Sequence, residues 1–548
     1  MNKTSKLISL ATAIVAITAC GGADKMAKQA EQVTVKCTPE VLTLKGGNIT
    51  ADLAVTYPAK YFDAKAILEV TPVLVYEGGE LAAEPLKYQG EKVKNNYKVV
   101  LSDGSTVSET VTFPYPEGMT RCHLELRAKC STNNGSKWVD LPVKKVADGC
   151  NVTETLAPHK AFYEYKDHNY QEIITLTPEG KILYNINSAA VRNSELKGES
   201  IAFFKESLAE ANANERKTLK GIEIVAYASP EGPVDKNNTL SDNRSKSAKN
   251  AFNKVVKKSQ LNGIKADVTS AGEDWEGFQE MVSNSDITDK DLILRVLGMY
   301  EDSNVREKEI RNMSEVFNEL KKDVLPELRR ARFIATVQFN NYSEDELKTL
   351  MNENVDILDE DALLKAATLC SKADDKRAIY EKAVSKFNSA RALFNLACVS
   401  VDEGDYAFAR QQLEKCDQND PDVINLNGVC YMKEGKRSKA EECFKKAGNE
   451  LAGYNLALYA LIDGDYATAA AGLPKEGADA AVANLMNGSF EDAAACLCDY
   501  DCPLCNYIRA ICFARQNKAD EAKAALEKAK ADEALAKRAE TDIEFINL

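Results

Sequence analysis

The sequence predicts a multidomain protein with a β-sandwich, then an α/β domain, then an all-α helical repeat. Three observations support this prediction. The first region has short alternating strands between turn signals, the second alternates strands with helices, and the third repeats a helical pattern. A chain of 548 residues is also too long for one hydrophobic core.

Residues 33–155 are predicted to form the β-sandwich. Runs rich in alternating apolar residues lie between glycine- and asparagine-containing turns, at 49–55, 67–76, 97–101, 106–113 and 122–128. Cys122 and Cys130 fall on one face of their strand. Together with Cys37 and Cys150 they allow three disulfide pairings in an oxidising compartment, and the sequence does not choose among them.

Residues 160–342 are predicted to form an α/β domain with a mixed sheet. Strand patterns occupy 181–187, 221–227, 265–270 and 332–339. Helical patterns occupy 196–211 and 241–257, and a long polar helical insertion at 288–324 precedes the last strand.

A motif in this domain has the pattern Asn-x-x-Leu-Ser-x-x-Arg, formed by Asn237, Leu240, Ser241 and Arg244. The strand before it leads into Ala-Ser-Pro-Glu-Gly at 228–232, and Arg329-Arg330 precede the last strand. These features resemble the OmpA-like domain, a peptidoglycan-associating module of bacterial envelopes, in the variant of the Bacteroides group that carries a helical insertion. The resemblance covers roughly 170 residues.

The resemblance implies a binding site for the diaminopimelate of peptidoglycan, in which an aspartate pairs with the ammonium group and the motif arginine holds the carboxylate. Arg244 matches that arginine, but Ser229 stands at the aspartate position. The peptidoglycan-binding candidates are therefore Arg244, Asn237, Ser229 and Glu231, with Glu231 as a nearby negative charge. The alternative is that Arg244 pairs inside a protein-binding domain, while Asn237 serves a turn or helix start.

Residues 358–548 are predicted to be a helical repeat. A turn residue is followed five positions later by alanine at Gly404, Gly435, Gly464, Gly488 and Asn517. Asn-Leu pairs recur at intervals of 30 residues, beginning at Asn395, Asn425 and Asn455. The pattern resembles the tetratricopeptide repeat, which implies a solenoid whose concave groove binds a protein partner.

The N-terminus combines Lys3 and Lys6 with an apolar run at 7–17 and the sequence Ile-Thr-Ala-Cys at 17–20. This resembles the lipobox of bacterial lipoproteins. It implies a signal peptide at 1–19, a lipid on Cys20 and a flexible tether at 20–32, in a protein anchored in the outer membrane and facing the periplasm. The alternative is an ordinary secretory signal with a chance cysteine.

Composition narrows the function further. The net charge of −14 argues against nucleic acid as a partner. The sequence contains no recognisable catalytic motif and only three histidines, so we predict a protein that is not an enzyme and requires no cofactor. The weak metal candidates are clustered near the C-terminus: Cys496, Cys498, Cys502 and Cys505. The same cysteines also suit packing, local disulfides or redox exchange.

These predictions describe a lipid-anchored, non-enzymatic scaffold or adaptor of the cell envelope. Its α/β domain is a candidate for binding peptidoglycan, and its repeats are expected to bind an unknown envelope protein. One alternative is a secretion or surface-assembly factor that acts only through protein–protein contacts. The other is a thiol redox or metal module at the cysteine cluster.

Overall fold

The computed structural model describes residues 22–132, 134–258, 265–287, 289–497 and 500–548. These residues form two compact units. Unit 1 combines the chain up to Lys166 with Leu393–Leu548, and unit 2 is Asp167–Ala392. The predicted signal peptide, the lipid site Cys20 and the metal candidate Cys498 lie outside the described residues.

The strands are, in chain order, β1 Thr34–Thr38, β2 Leu42–Lys45, β3 Asn48–Tyr57, β4 Ile67–Tyr76, β5 Gly79–Ala82, β6 Leu86–Gly90, β7 Lys98–Val100, β8 Ser105–Pro114, β9 Cys122–Ser131, β10 Val139–Asp140, β11 Lys144–Asp148, β12 Cys150–Asn151, β13 Ile173–Leu176, β14 Glu179–Leu183, β15 Lys217–Ala228, β16 Asp267–Glu273 and β17 Arg330–Asn340.

The helices are α1 Gly22–Lys28, α2 Glu199–Ala213, α3 Val234–Lys258, α4 Trp275–Ser283, α5 Lys290–Met299, α6 Ser303–Asn312, α7 Ser314–Asp323, α8 Leu325–Leu328, α9 Glu344–Glu353, α10 Glu360–Thr368, α11 Ala373–Phe387, α12 Ala390–Asp402, α13 Tyr406–Leu413, α14 Pro421–Lys433, α15 Arg437–Ala447, α16 Glu450–Ile462, α17 Tyr466–Gly472, α18 Ala478–Met486, α19 Phe490–Ala495, α20 Pro503–Arg515, α21 Ala519–Ala529 and α22 Glu533–Ala539.

The flexible tether predicted for 20–32 is wrong over residues 22–32. Helix α1 and a following 3-10 turn, Ala30–Gln32, occupy this stretch. Ala23 and Met26 join the hydrophobic core of the β domain, with Met26 fully buried. These apolar residues are three positions apart and therefore share one face of a helical turn, which gives the segment a reason to fold.

The N-terminal part of unit 1 is β-rich, as predicted. One sheet has the order β1-β3-β2-β12 with β8 beside β3, and the other has β10-β9-β4-β6-β7 with β11 beside β9 and β5 beside β4. Alternate residues of β3 are buried, which is the pattern of a sheet with one core-facing surface. Cys37, Cys122, Cys130 and Cys150 are free thiols buried in this region.

Unit 2 contains the predicted mixed sheet, in the order β13-β17-β15-β16 with β14 beside β17. Strands β15 and β16 are parallel and are connected by α3, whereas β17 is antiparallel to its neighbours. Helices α2 and α3 contribute Phe204 and Phe252 to a core with Phe333 of the sheet. The helical insertion α4–α8 has a separate core.

Helices α9–α11 also belong to unit 2, and the boundary between the two units falls within α12, between Ala392 and Leu393. The start of the repeats at residue 358 stays a prediction. Among the described residues, no helix is both long enough and apolar enough to cross a membrane.

The helical repeat predicted from the turn residues is confirmed. Consecutive helices pack in pairs, such as α14 with α15 and α20 with α21. The turn residues Gly404, Gly435, Gly464, Gly488 and Asn517 all have positive φ, a backbone conformation that favours glycine and asparagine. The alanines five positions later are all fully buried, where a small side chain allows close helix packing: Ala409, Ala440, Ala469, Ala493 and Ala522.

Candidate functional site

A segment of irregular backbone in unit 1, residues 157–166, lies against the first helices of successive repeats. We call this segment the strap. It contains neither helix nor strand. Four buried side chains contact its backbone, one each from α12, α14, α16 and α18: Asn395, Asn425, Asn455 and Asp479. We call these four residues the ladder.

Asn395 binds both backbone groups of Lys166. The Lys166 N–H donates to its Oδ1 at 2.7 Å, and its Nδ2 donates to the Lys166 carbonyl at 3.0 Å. Asn455 accepts from the N–H of Phe162 at 2.8 Å, and both Asn425 and Asn455 donate to the Phe162 carbonyl at 2.9 Å. An amide side chain suits this role because it is both a donor and an acceptor.

Asp479 is the fourth member of the ladder. Its carboxylate accepts the backbone N–H groups of His159 at 2.8 Å and Lys160 at 3.0 Å. Burial raises the pKa of Asp479, and these two hydrogen bonds offset part of that rise. A carboxylate fits here because both strap groups are donors, whereas the strap offers a donor and an acceptor to Asn395.

The side chains of the strap are also held. The hydroxyls of Tyr163 and Tyr165 both donate to the carboxylate of Asp402. The Lys166 ammonium donates to Asp420 at 3.0 Å and to Asp422. We call the surface of the repeats that contacts the strap the groove. It presents carboxylates to the hydroxyl and ammonium groups of the strap.

Aromatic packing completes the contact. The Phe162 ring meets the Tyr454 ring edge to face, with centroids 5.4 Å apart, and Ala161 is buried in the core of the repeats. Ala157, the first residue of the strap, and Leu156 just before it are buried in the neighbouring core with Leu458 and Leu461. The groove thus binds the strap through backbone, polar and apolar groups at once.

Just before the strap, the chain lies at a contact between the β-rich region and the last repeats. Glu154 accepts the N–H groups of Gly46 at 2.9 Å and Gly47 at 3.2 Å, and the Tyr466 hydroxyl. Glu544 accepts from Thr153 at 2.6 Å and is also bound by Arg515. Both carboxylates are buried or nearly so, and these bonds join the two parts of unit 1.

Arg244, the main peptidoglycan-binding candidate, is fully buried in unit 2. Its guanidinium donates to three backbone carbonyls, those of Ser188 at 3.0 Å, Tyr227 at 2.9 Å and Asn185 at 3.3 Å. It also lies 5.0 Å from the centroid of the Tyr184 ring. Burial lowers the pKa of Arg244 to about 10, which leaves it charged at neutral pH.

Ser229 and Glu231 are close together, but neither hydrogen bonds to Arg244. The Ser229 hydroxyl donates to Glu231 at 2.6 Å. Arg329 donates to both oxygens of Glu231, at 2.7 and 3.2 Å. The negative charge expected to serve a ligand is therefore paired with Arg329, a bidentate arrangement that holds the carboxylate firmly.

Asn237 lies on α3 and is buried. Its amide donates to the Gly232 carbonyl at 2.9 Å and to Glu273 at 2.7 Å, and Glu273 also accepts from the Trp275 indole. These contacts position the loop before α3.

In the C-terminal cysteine cluster, Cys502 and Cys505 form a disulfide. Cys502 precedes α20 and is exposed, whereas Cys505 is buried. Cys496 is buried, and its sulfur accepts the Asn484 amide at 3.7 Å. Within the described part of the chain, no group of three or more histidine, cysteine or acidic residues is arranged to hold a metal ion.

The strap is the feature that the sequence reasoning missed. The recurrence of Asn395, Asn425 and Asn455 is visible in the sequence, but it was interpreted only as a sign of the repeat. An asparagine on the buried face of three successive first helices signals more than packing, because a buried amide requires hydrogen-bond partners. The position of those partners, more than 200 residues earlier in the chain, has no local signal.

No family model matches the chain, and no curated protein matches it. Among solved structures, a tetratricopeptide repeat protein from Parabacteroides merdae is similar at 16% identity and a TM-score of 0.28, covering 43% of this chain and 98% of that one. A chain of the APC/C hetero-tetramer Cut9-Hcn1 is similar at 16% identity and a TM-score of 0.28, covering 63% of this chain and 68% of that one. The helical repeat is established by its own helix pairs, turn residues and buried alanines, independently of these similarities.

Proposed function

We propose that this protein is a non-enzymatic scaffold that acts through protein–protein contacts. The observation that carries the proposal is the ladder, whose side chains bind the backbone of an irregular segment. Backbone recognition by regularly spaced amides is a chemistry suited to peptides, because every peptide offers the same N–H and carbonyl groups.

The proposal places the scaffold in the cell envelope, held in the outer membrane by a lipid on Cys20 and facing the periplasm. Its support is the N-terminal sequence, in which an apolar run ends in Ile-Thr-Ala-Cys. A Cys20→Ser variant tests the anchor. We expect it to move from the membrane fraction to the soluble fraction, and membrane retention of that variant contradicts the lipid anchor.

Peptidoglycan binding is an alternative function of unit 2, and two features of this unit argue against it. Arg244 is buried and bound to carbonyls, and Ser229 offers no charge at the aspartate position. Purified protein beginning at Gly22 is therefore expected to stay in solution when sacculi are sedimented. Co-sedimentation that is lost in Arg244→Lys but retained in Arg192→Lys, an exposed control, restores the cell-wall function.

The scaffold itself is tested by isolating the full-length chain from detergent-solubilised envelopes after mild cross-linking. We expect a protein companion in a fixed stoichiometric ratio, identified by mass spectrometry and absent from a mock isolation. A chain that is recovered alone, both with and without cross-linking, contradicts the scaffold function.

Thiol–disulfide exchange is a second candidate, favoured by the position of the Cys502–Cys505 pair. The disulfide lies at the start of α20, with Cys502 exposed to an incoming thiol and its sulfur accepting the Cys505 N–H at 3.2 Å. Incubation with reduced glutathione, followed by acid quenching and mass spectrometry, tests this candidate. A mixed disulfide at Cys502 supports exchange, and a pair that stays unreactive in the folded protein excludes it.

A further inference from the structure

The ladder already has an occupant, and that occupant belongs to the same chain. We propose that the strap is a built-in competitor for the groove, so that a partner peptide of the same chemistry binds only when the strap leaves. This inference rests on the proposed scaffold function and deepens it, because it names the class of peptide that the groove takes and the element that controls access.

The contacts define the peptide class. The ladder requires a backbone N–H and carbonyl at the Phe162 and Lys166 positions and two successive N–H groups at the Asp479 end. The groove adds Tyr454 for an aromatic side chain and Asp402 for two tyrosine hydroxyls. The matching ligand is an irregular or extended peptide with an aromatic residue followed by Tyr-x-Tyr-Lys.

The groove also favours a positive charge at the C-terminal end of that peptide. Asp420 and Asp422 both accept from the Lys166 ammonium, and with Asp402 and Asp479 they give the groove four carboxylates. An acidic peptide would meet these carboxylates as like charges, and the repulsion disfavours it. The groove therefore selects basic and aromatic segments.

Competition follows from the way the strap is held. The strap has no helix or strand of its own, and its groove contacts run through side chains of the repeats. A second peptide with the same groups can form the same contacts. Because the strap is covalently attached at both ends, its effective concentration at the groove is on the order of millimolar. An outside peptide binds only open grooves, so its apparent affinity is the intrinsic affinity multiplied by the fraction of grooves that are open.

The test uses a blocked synthetic peptide with the sequence of residues 157–166 and the full chain from Gly22. A strap variant, Phe162→Ala with Lys166→Ala, removes the aromatic and charged contacts of the strap and leaves the ladder intact. We expect this variant to bind the peptide at least about tenfold more tightly than the unmodified chain in calorimetry or fluorescence anisotropy. A scrambled peptide of the same composition serves as the ligand control.

Two further variants assign the binding to the ladder. Asn455→Ala, added to the strap variant, is expected to weaken peptide binding at least about tenfold, since it removes contacts with both backbone groups of Phe162. Asn427→Ala is the matched control, because the side chain of this half-buried residue on α14 has, within the described residues, one hydrogen bond, to Val423 of its own helix. It is expected to leave the affinity unchanged within about twofold.

The unmodified chain provides an independent measurement if the variants fold poorly. Excess peptide is expected to speed hydrogen exchange of the Phe162 and Lys166 amides in the strap while exchange in the repeat helices stays unchanged. Equal binding by the unmodified chain and the strap variant, or no binding by a folded strap variant, overturns the proposal. If a protein companion is recovered from envelopes but the peptide does not bind, only this inference fails. If the peptide binds but no companion is recovered, only the scaffold function fails.

Discussion

The groove of unit 1 and the Arg244 site of unit 2 are both buried polar sites that are filled by backbone groups of the same chain. In the groove the backbone comes from the strap, which lies outside the repeats that supply the ladder. At Arg244 the carbonyls come from residues 185 and 188 beside β14 and from Tyr227 at the end of β15, within the domain's own framework.

The difference matters for function. Leaving a buried polar group without a partner costs about 1–3 kcal/mol, so a ligand enters such a site readily only where the existing partner can leave. Displacing the strap exchanges one peptide for another. Displacing the carbonyls around Arg244 requires the sheet and its connecting turns to rearrange, which is why the groove is the better candidate for binding.

The largest expected effect concerns Arg244. Replacing it by alanine leaves three carbonyls without their donor and opens a cavity, and we expect unit 2 to lose about 3–5 kcal/mol of stability. Thermal unfolding with hydrogen exchange of the sheet amides measures this loss. Arg192→Ala is the control, since that side chain is 44% exposed, and its loss is expected to be below about 1 kcal/mol.

A small loss in Arg244→Ala, similar to that of Arg192→Ala, contradicts the comparison. It means that the carbonyls around Arg244 find other partners without cost. The site can then rearrange at low energetic cost to admit a ligand carboxylate, and this result supports peptidoglycan binding.

Asn455→Ala in the otherwise unmodified chain has the next largest expected effect. It removes hydrogen bonds to both backbone groups of Phe162, and we expect a loss of about 1–3 kcal/mol together with faster exchange of the strap amides. Asn427→Ala on the neighbouring repeat is expected to change neither. Unchanged exchange at Phe162 in Asn455→Ala means that the remaining contacts of the strap protect this amide without the Asn455 bond.

These two sites differ in how far the sequence could anticipate them. The glycine-to-alanine spacing predicted the repeats because turn and packing requirements are local and recur in each unit. The motif containing Arg244 was visible for the same reason. The partners of the buried groups were not visible: Phe162 and Asn455 are 293 residues apart, and Glu231 and Arg329 are 98 apart.

The flexible tether predicted for residues 20–32 is a different case, because here the sequence prediction was wrong over residues 22–32. Polar composition between residues 20 and 32 suggested a flexible chain, but two apolar residues, Ala23 and Met26, are enough to place α1 in the core of the β-rich region. Whether a short segment folds depends on the surface available to bury its apolar residues, and that surface is formed by distant strands.

A pH dependence tests how the strap is anchored at its N-terminal side. Burial alone raises the pKa of Glu544, but hydrogen bonds from Arg515, Thr153 and Asn151 outweigh burial and lower it overall. A lowered pKa in the folded state means that the stabilisation is present above the unfolded pKa, about 4.3, and is lost as the pH falls through the folded pKa.

We therefore expect the unmodified chain to lose more stability than Glu544→Gln as the pH falls below the unfolded pKa of about 4.3. Urea denaturation at several pH values measures the difference, and the variant subtracts the contribution of all other carboxylates. Parallel pH profiles of the two proteins contradict a stabilising role for the Glu544 charge.

The smallest expected effect is that of Asp479→Asn, which makes the fourth member of the ladder chemically like the other three. The variant loses one of two hydrogen bonds to the strap, but it no longer buries a charge whose pKa is raised by desolvation. The two changes oppose each other, and we expect a net change below about 1 kcal/mol.

Asp479→Leu leaves both N–H groups unpaired and is expected to cost about 2–4 kcal/mol. Exchange of the His159 and Lys160 amides separates the two variants. If asparagine costs as much as leucine, both acceptor oxygens of Asp479 are required at this end of the groove, whereas Asn395 at the other end both donates and accepts. That difference in hydrogen bonding then sets the direction in which a peptide binds.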